Sequence, residues 1–330
     1  MKRVLFFAAV TALFLGSCTN ENNEHGNTPD TPQVETPKKP RIKGPDFNAD
    51  SAYAHIKTQV AFGPRIPGSK PHAACADFMV AKLKSYGLDV QLQTTAATFR
   101  GTMVTMKNIF AQYKPERKDR VLLLAHWDTR PVADEDDVDK DKPFDGADDG
   151  GSGAAVLLEM ARVLQQQDPN IGVDLLLVDA EDGGDNGGPS DGWCLGSQYW
   201  ANNKPKDYQP RYAILLDMVG GKNPQFPREG TGVHFAPEVV EKVWDAAAKL
   251  GYGNVFINDI TGETTDDHLF INQYARIPAI DIVHYNMQTL SYPSWHHRHS
   301  DNMDVIDPGT LKMVGTVLVD VLYNEMPVVK

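Results

Sequence analysis

Between residues 70 and 86 the apolar positions Ala74, Phe78, Met79, Leu83 and Tyr86 recur at helical spacing, and Gly87 follows as a stop signal. The pattern then changes. Val121-Leu122-Leu123-Leu124-Ala125 is an unbroken apolar run, the signature of a strand covered on both faces. Val173 to Val178, Tyr212 to Leu216 and Ile277 to Val283 are similar runs. Helical stretches lie between them. Ser152 to Leu164 is apolar nearly all round, so that helix is expected to be buried. Pro237 opens another, Val240, Val243, Ala247 and Leu250 form its stripe, and Gly251 closes it. Asp307-Pro308 opens a last helix with Leu311, Val314, Leu318 and Val321 inward. Such alternation predicts an α/β fold with a mixed, mostly parallel central sheet and helices on both faces. Met103 to Tyr113 adds antiparallel edge strands.

The first forty-odd residues follow a different pattern. Lys2 and Arg3 precede an apolar run from Val4 to Leu15, too short to span a bilayer, which takes roughly 20 residues. It fits the apolar region of an export signal. The run ends in Leu15-Gly16-Ser17-Cys18, which resembles the lipobox of bacterial lipoproteins. That resemblance implies cleavage before Cys18 and a lipid on it, anchoring the mature protein to a membrane. The expected location is the periplasmic or outer-membrane face of a Gram-negative bacterium. Thr19 to Arg41, rich in Asn, Thr, Pro and Lys, reads as a tether. The expected organisation is a signal over 1–18, a flexible linker over 19–46 and a catalytic domain over 47–330.

Composition narrows the function classes. The 330 residues carry a formal net charge of −12, which argues against a nucleic-acid partner. With Cys18 lipidated, Cys75 and Cys194 remain and are expected as free buried thiols. No cysteine pattern supports a structural zinc site.

Candidate chemistry sits beyond the carboxyl ends of the strands, where open α/β sheets build their sites. His126-Trp127-Asp128 follows the first apolar run, Asp179-Ala180-Glu181-Asp182 the second and Asp217 the third. A single Asp there is usually a turn or cap residue; three strands ending alike point to a shared site. Asp148-Asp149 before the buried helix and His296-His297-Arg298-His299 before the last one are further candidates. Carboxylates with a neutral imidazole suit a catalytic zinc, which takes about three protein ligands and keeps a position open.

In order, His126-x-Asp128, Gly146-Ala-Asp-Asp149, Glu181-Asp182, Leu216-Asp217 and His297 resemble the zinc aminopeptidase family, which also contains the animal-type glutaminyl cyclases. The resemblance runs over about residues 50 to 327. It implies an α/β/α sandwich with Asp149, Asp182 and His297 as zinc ligands and Glu181 as general base. In the two-zinc peptidases, the residues matching His126 and Asp217 hold a second metal with Asp149 bridging, so ligand identity does not separate the branches. Thr265-Asp266-Asp267-His268 helps, because many peptidases read Ser-Asp-His there and the cyclases Asp-Asp-His. The cyclase branch is therefore favoured: cyclisation of N-terminal glutamine to pyroglutamate with release of ammonia, one zinc ion, and Glu181, Asp217 and Asp266 as catalytic acids. A two-zinc aminopeptidase is the alternative. Trp193, His126 and Trp295 are expected in the substrate pocket. The partners are peptides and proteins with N-terminal glutamine, and a monomer is expected.

Three features depart from the pattern or stand outside it. Asp182 stands where most of the family carries Glu, though Glu-Asp resembles bacterial members of the cyclase group. The animal cyclases place Trp directly before the zinc His, whereas here His296 intervenes between Trp295 and His297. The acidic run 134–142 is similar to a calcium loop, but Lys142 replaces its required Gly and Asp148 its closing Glu, so a solvated loop is expected.

Overall fold

The computed structural model describes residues 41–185 and 187–325. The export signal, the lipobox with Cys18 and the tether to residue 40 lie outside the described residues. In chain order the elements open with α1 (Ala49–Ala61), α2 (Lys70–Ser85), β1 (Asp89–Phe99), β2 (Thr102–Tyr113), β3 (Arg120–His126) and α3 (Gly151–Gln166). β4 (Gly172–Val178), α4 (Leu195–Asn203), β5 (Ala213–Asp217), β6 (Phe226–Arg228), α5 (Gly230–Phe235) and α6 (Pro237–Lys249) follow. The last are β7 (Phe256–Ile260), α7 (Asp267–Phe270), β8 (Ala279–Val283) and α8 (Pro308–Tyr323).

The main sheet has six strands in the order β1-β2-β4-β3-β5-β8. β4, β3, β5 and β8 run parallel, and the β1–β2 hairpin adds an antiparallel edge. The continuous apolar runs become the parallel strands, because helices cover both faces. Alternate residues then enter separate cores. Val121, Leu123 and Ala125 pack with α1, α3, α6 and α8, while Leu122 and Leu124 face Trp200 of α4 and Ile271. Fully burying each such leucine contributes roughly 1.5–3 kcal/mol. β6 and β7 form a separate two-stranded sheet.

Two glycines bring α3 onto the sheet and so build the site. A Cβ at Gly153 would lie 2.2 Å from the Leu216 carbonyl oxygen, so α3 sits this close only with glycine there. Gly150 has φ +74°, and a Cβ would lie 2.2 Å from the Asp128 carbonyl oxygen. The tight entry places Asp148 and Asp149 over the carboxyl ends of β3 and β5.

The boundary expected at residue 47 shifts. Ile42 donates its N–H to Asn324, the residue that ends α8, and Arg41 pairs with Asp320 of α8. Gly44 abuts Val319 and Tyr323. Residues 41–46, expected in the linker, therefore pack on the domain. No helix among the described residues is long and apolar enough to cross a membrane. Cys75 and Cys194 are free and buried.

Candidate active site

Five segments converge beyond the carboxyl ends of the parallel strands. Asp149 sits just before α3, Asp182 in the turn after β4, and His297 in the loop before α8. His297 Nε2 lies 3.2 Å from Asp182 Oδ1 and 3.7 Å from Asp149 Oδ2. The three residues present ligand atoms within 4.8 Å of one another. His126, Asp149 and Asp217 form a second such group, with His126 Nε2 at 3.1 Å from both carboxylates. Asp149 belongs to both groups.

The first group fits a zinc ion on the molecule's own terms. It offers two carboxylates and one imidazole, the donor set and count of a catalytic site with an open position. Asp182 Oδ2 is buried and, among the described residues, has no hydrogen-bond partner. A buried carboxylate oxygen is normally satisfied, so a cation is the natural complement. Burial alone would raise the Asp182 carboxyl, but His297 and Arg130 hold it well below the usual range.

Backbone geometry fixes these ligands. Asp128 accepts the N–H groups of Glu181 at 3.0 Å and Asp182 at 3.4 Å. Asp301 accepts those of Asp148 at 2.8 Å and Asp149 at 3.1 Å. Among the neighbouring histidines, His296 turns to Glu135 and His299 to Asp136, which leaves His297 as the one pointing between Asp149 and Asp182.

Beside the ligands lies a cavity of about 200 Å³ lined by Glu181, Trp193, Asp217, Asp266, Tyr292 and His296, among others. Glu181, Asp217 and Asp266, the three expected catalytic acids, are thus brought together. Burial raises the Glu181 carboxyl well above its usual value, and neighbouring Asp182, Asp266 and Asp267 add to the effect. Burial and then Asp217 push Asp266 up to about 6. Asp266 also caps α7, accepting the Asp267 N–H at 2.5 Å. Capping and cavity lining thus coexist at Asp266.

Of the three expected pocket residues, only Trp193 lines the cavity. Its ring lies near parallel to His297, with centroids 6.4 Å apart. His126 is instead buried between Asp149 and Asp217. Trp295 donates its Nε1–H to Asp148 at 2.9 Å, outside the lining, because that buried carboxylate needs a donor. Tyr292, Met218 and His296 supply the wall in their place.

Sequence reasoning missed other residues. Cys194 directs its thiol at Glu181 Oε1 at 3.3 Å. Asp281 lies buried inside β8 beside Asp266 and His268, the three presenting ligand atoms within 4.8 Å of one another. Arg130 is fully buried and donates to Asp182 Oδ1 at 3.1 Å. An arginine four residues after the first strand-end histidine carried a signal, since a buried guanidinium demands carboxylates. Asp281 carried none, being one polar residue inside an apolar run. The acidic run was expected to be solvated. That holds for residues 137–142, but Asp134, Glu135 and Asp136 are tied to the site.

Known proteins of similar sequence and fold include peptidases and glutaminyl cyclases. The sequence model of peptidase family M28 covers residues 108–322. A solved glutaminyl cyclase of Bacteroides thetaiotaomicron, bound to N-acetylhistamine, is 47% identical with a TM-score of 0.84, covering 86% of this chain and 100% of its own. A Zn-dependent exopeptidase of Parabacteroides distasonis is 46% identical with a TM-score of 0.83 and the same coverage. An aminopeptidase of Bacillus subtilis is 24% identical over 83% of this chain, and the match spans only 56% of that relative's length.

Proposed function

The chain belongs to peptidase family M28, and from that membership we propose that it is a glutaminyl cyclase, converting N-terminal glutamine of peptides to pyroglutamate with release of ammonia. One observation carries the reading. Asp266 lines the same cavity as Glu181, and the two present oxygens within 4.8 Å of each other. Two acids that close favour a shared proton, which suits a reaction that takes a proton from one nitrogen and returns it to another. The 47% identity to a cyclase across that protein's whole chain adds support.

Asp149, Asp182 and His297 would hold one zinc ion, which when bound supplies Lewis-acid polarisation of the substrate side-chain carbonyl. The substrate's α-amine attacks its own side-chain carbonyl carbon. Glu181 takes the proton that the amine loses as the new C–N bond forms. It then delivers that proton to the departing amide nitrogen, so that ammonia leaves and the carboxylate is restored. Asp217 and Asp266 orient the leaving amide and keep Glu181 within the range where it both accepts and donates. Trp193 and Tyr292 hold the glutamine side chain folded back on the amine, which raises the effective concentration of the nucleophile.

The second group of His126, Asp149 and Asp217 supports a second reading, a two-zinc aminopeptidase. In the second group His126 Nε2 is already hydrogen-bonded to Asp217 at 3.1 Å, whereas a carboxylate oxygen of the first, Asp182 Oδ2, has no partner among the described residues, which favours one ion. Purified protein given a glutamine-initiated and an alanine-initiated peptide separates the readings. The expected result is loss of one ammonia from the first and no shortening of either. Removal of the first residue from both would establish the peptidase.

The Leu15-Gly16-Ser17-Cys18 segment supports a lipid on Cys18, an export signal over 1–18 and a place on the periplasmic or outer-membrane face of a Gram-negative cell. The enzyme acts there as a monomer on peptides with N-terminal glutamine.

A further inference from the structure

The acidic run and the histidine-rich segment meet residue for residue. Glu135 donates its N–H to the His297 carbonyl at 3.3 Å, and its carboxylate lies 3.4 Å from His296 Nδ1. Asp136 Oδ2 accepts both the N–H of His299, at 2.8 Å, and its ring Nδ1, at 2.9 Å. Asp134 Oδ1 lies 3.6 Å from His297 Nδ1. Asp134 is itself clamped by the Arg130 guanidinium at 2.8 and 2.6 Å. A third nitrogen of that guanidinium reaches Asp182 Oδ1 at 3.1 Å, the Asp182 carbonyl at 3.2 Å and the Gly184 carbonyl at 3.0 Å. One buried cation therefore joins the acidic run to one ligand, and the run itself grips the segment carrying another.

His297 needs such a grip. Its φ is +53°, the left-handed region that a side chain rarely adopts. A residue keeps that conformation when its surroundings over-determine it. The contacts around His297 do so: His296 before it faces Glu135, its own carbonyl accepts from the Glu135 N–H, and His299, two residues on, is pinned by Asp136.

We infer that residues 130–136 form a brace that holds His297 in its ligating conformation and locks it to Asp182, with Asp136 as a positioning residue for zinc. Asp136 touches neither ion nor substrate and acts through His299. The inference rests on the zinc assignment to Asp149, Asp182 and His297 and not on which reaction the site performs. Groups that orient a metal ligand from behind typically change affinity by about 10- to 100-fold when removed.

The test is zinc affinity and zinc release, measured by competition with a fluorescent chelator. Wild type is compared with Asp136→Ala, Asp136→Asn and Asp139→Ala, the last in the exposed part of the same run. Asp136→Ala is expected to bind zinc about 10-fold or more weakly and to release it faster, with unchanged melting of the metal-free protein. Asn keeps one acceptor oxygen, so Asp136→Asn is expected to fall between, which also guards against misfolding of the alanine variant. Asp139→Ala is expected to match wild type. Wild-type affinity in both Asp136 variants would overturn the brace while leaving the zinc site standing. An equal loss of stability in metal-free Asp136→Ala and Asp136→Asn would overturn it too, by making the contact merely structural. A wild-type protein that binds no zinc would overturn the metal assignment and the brace with it.

Discussion

The ligand rim and the acid cluster next to it use the same residue type in opposite ways. At the rim, Asp134 faces Arg130, Asp136 faces His299, and Asp182 faces both Arg130 and His297. Each carboxylate has a fixed basic partner, so charge there is settled by geometry. In the cavity wall, Asp266 stands beside the buried Asp281, and both Asp281 oxygens lack a donor among the described residues. Burial, with Asp266 and Asp217 nearby, raises the Asp281 carboxyl well above its usual value. Two buried carboxyls this close are accommodated when one keeps its proton and donates it to the other. The first region suits holding an ion in place, the second holding and moving a proton.

The largest effect that tests this contrast lies at Glu181, where the two regions meet. Glu181→Gln is expected to lower turnover by about 10²- to 10⁴-fold while zinc content stays at the wild-type level. Zinc lost along with activity would mean that the regions are not separable, and undiminished turnover would remove Glu181 from the proton path.

Next in size is Glu229, the acid behind the cluster that does have fixed partners. Burial would raise it, but His268 at 2.8 Å, followed by the N–H groups of Thr231 and Gly232, brings it from 4.5 down to about 2. A depressed carboxyl contributes stability that is present above about pH 4.5 and is lost as pH falls through about 2, on the order of 3 kcal/mol in all. Acid unfolding of wild type should show that slope, and Glu229→Gln should flatten it. An unchanged slope in the variant would place Glu229 with the proton-sharing acids instead.

The smallest effect distinguishes Asp281. Asp281→Leu removes a buried acid and should leave thermal stability equal or raised. Losing the carboxyl that stands beside Asp266 should lower kcat about tenfold with KM little changed. Asp281→Asn retains a donor and should recover most of that activity. Equal kcat in Leu, Asn and wild type would show that Asp281 orients nothing.

The hydrophobic pattern carried the fold, because each parallel strand buried on both faces leaves an apolar run. It also carried much of the site, since acids at the ends of such runs meet wherever the sheet's carboxyl edge lies. Asp182, Glu181 and Asp217 were legible for that reason, and Asp149 by its place just before the buried helix. Other assignments were not. The segment 296–299 has three histidines in four positions, and only the family resemblance, not composition, singled out His297. Trp295 reads as a pocket wall until the buried Asp148 claims its N–H.

What the sequence by itself determined is the set of strands, the edge at which their chemistry gathers, and the kinds of ligand available there. Tertiary structure alone decided what Arg130 and the acidic run hold, that Trp295 serves Asp148, and that Asp281 lies beside Asp266. Strand periodicity and strand-end position are local properties, readable a few residues at a time. The pairing of one buried charge with another depends on contacts between segments far apart in the chain, and only the packed molecule specifies those.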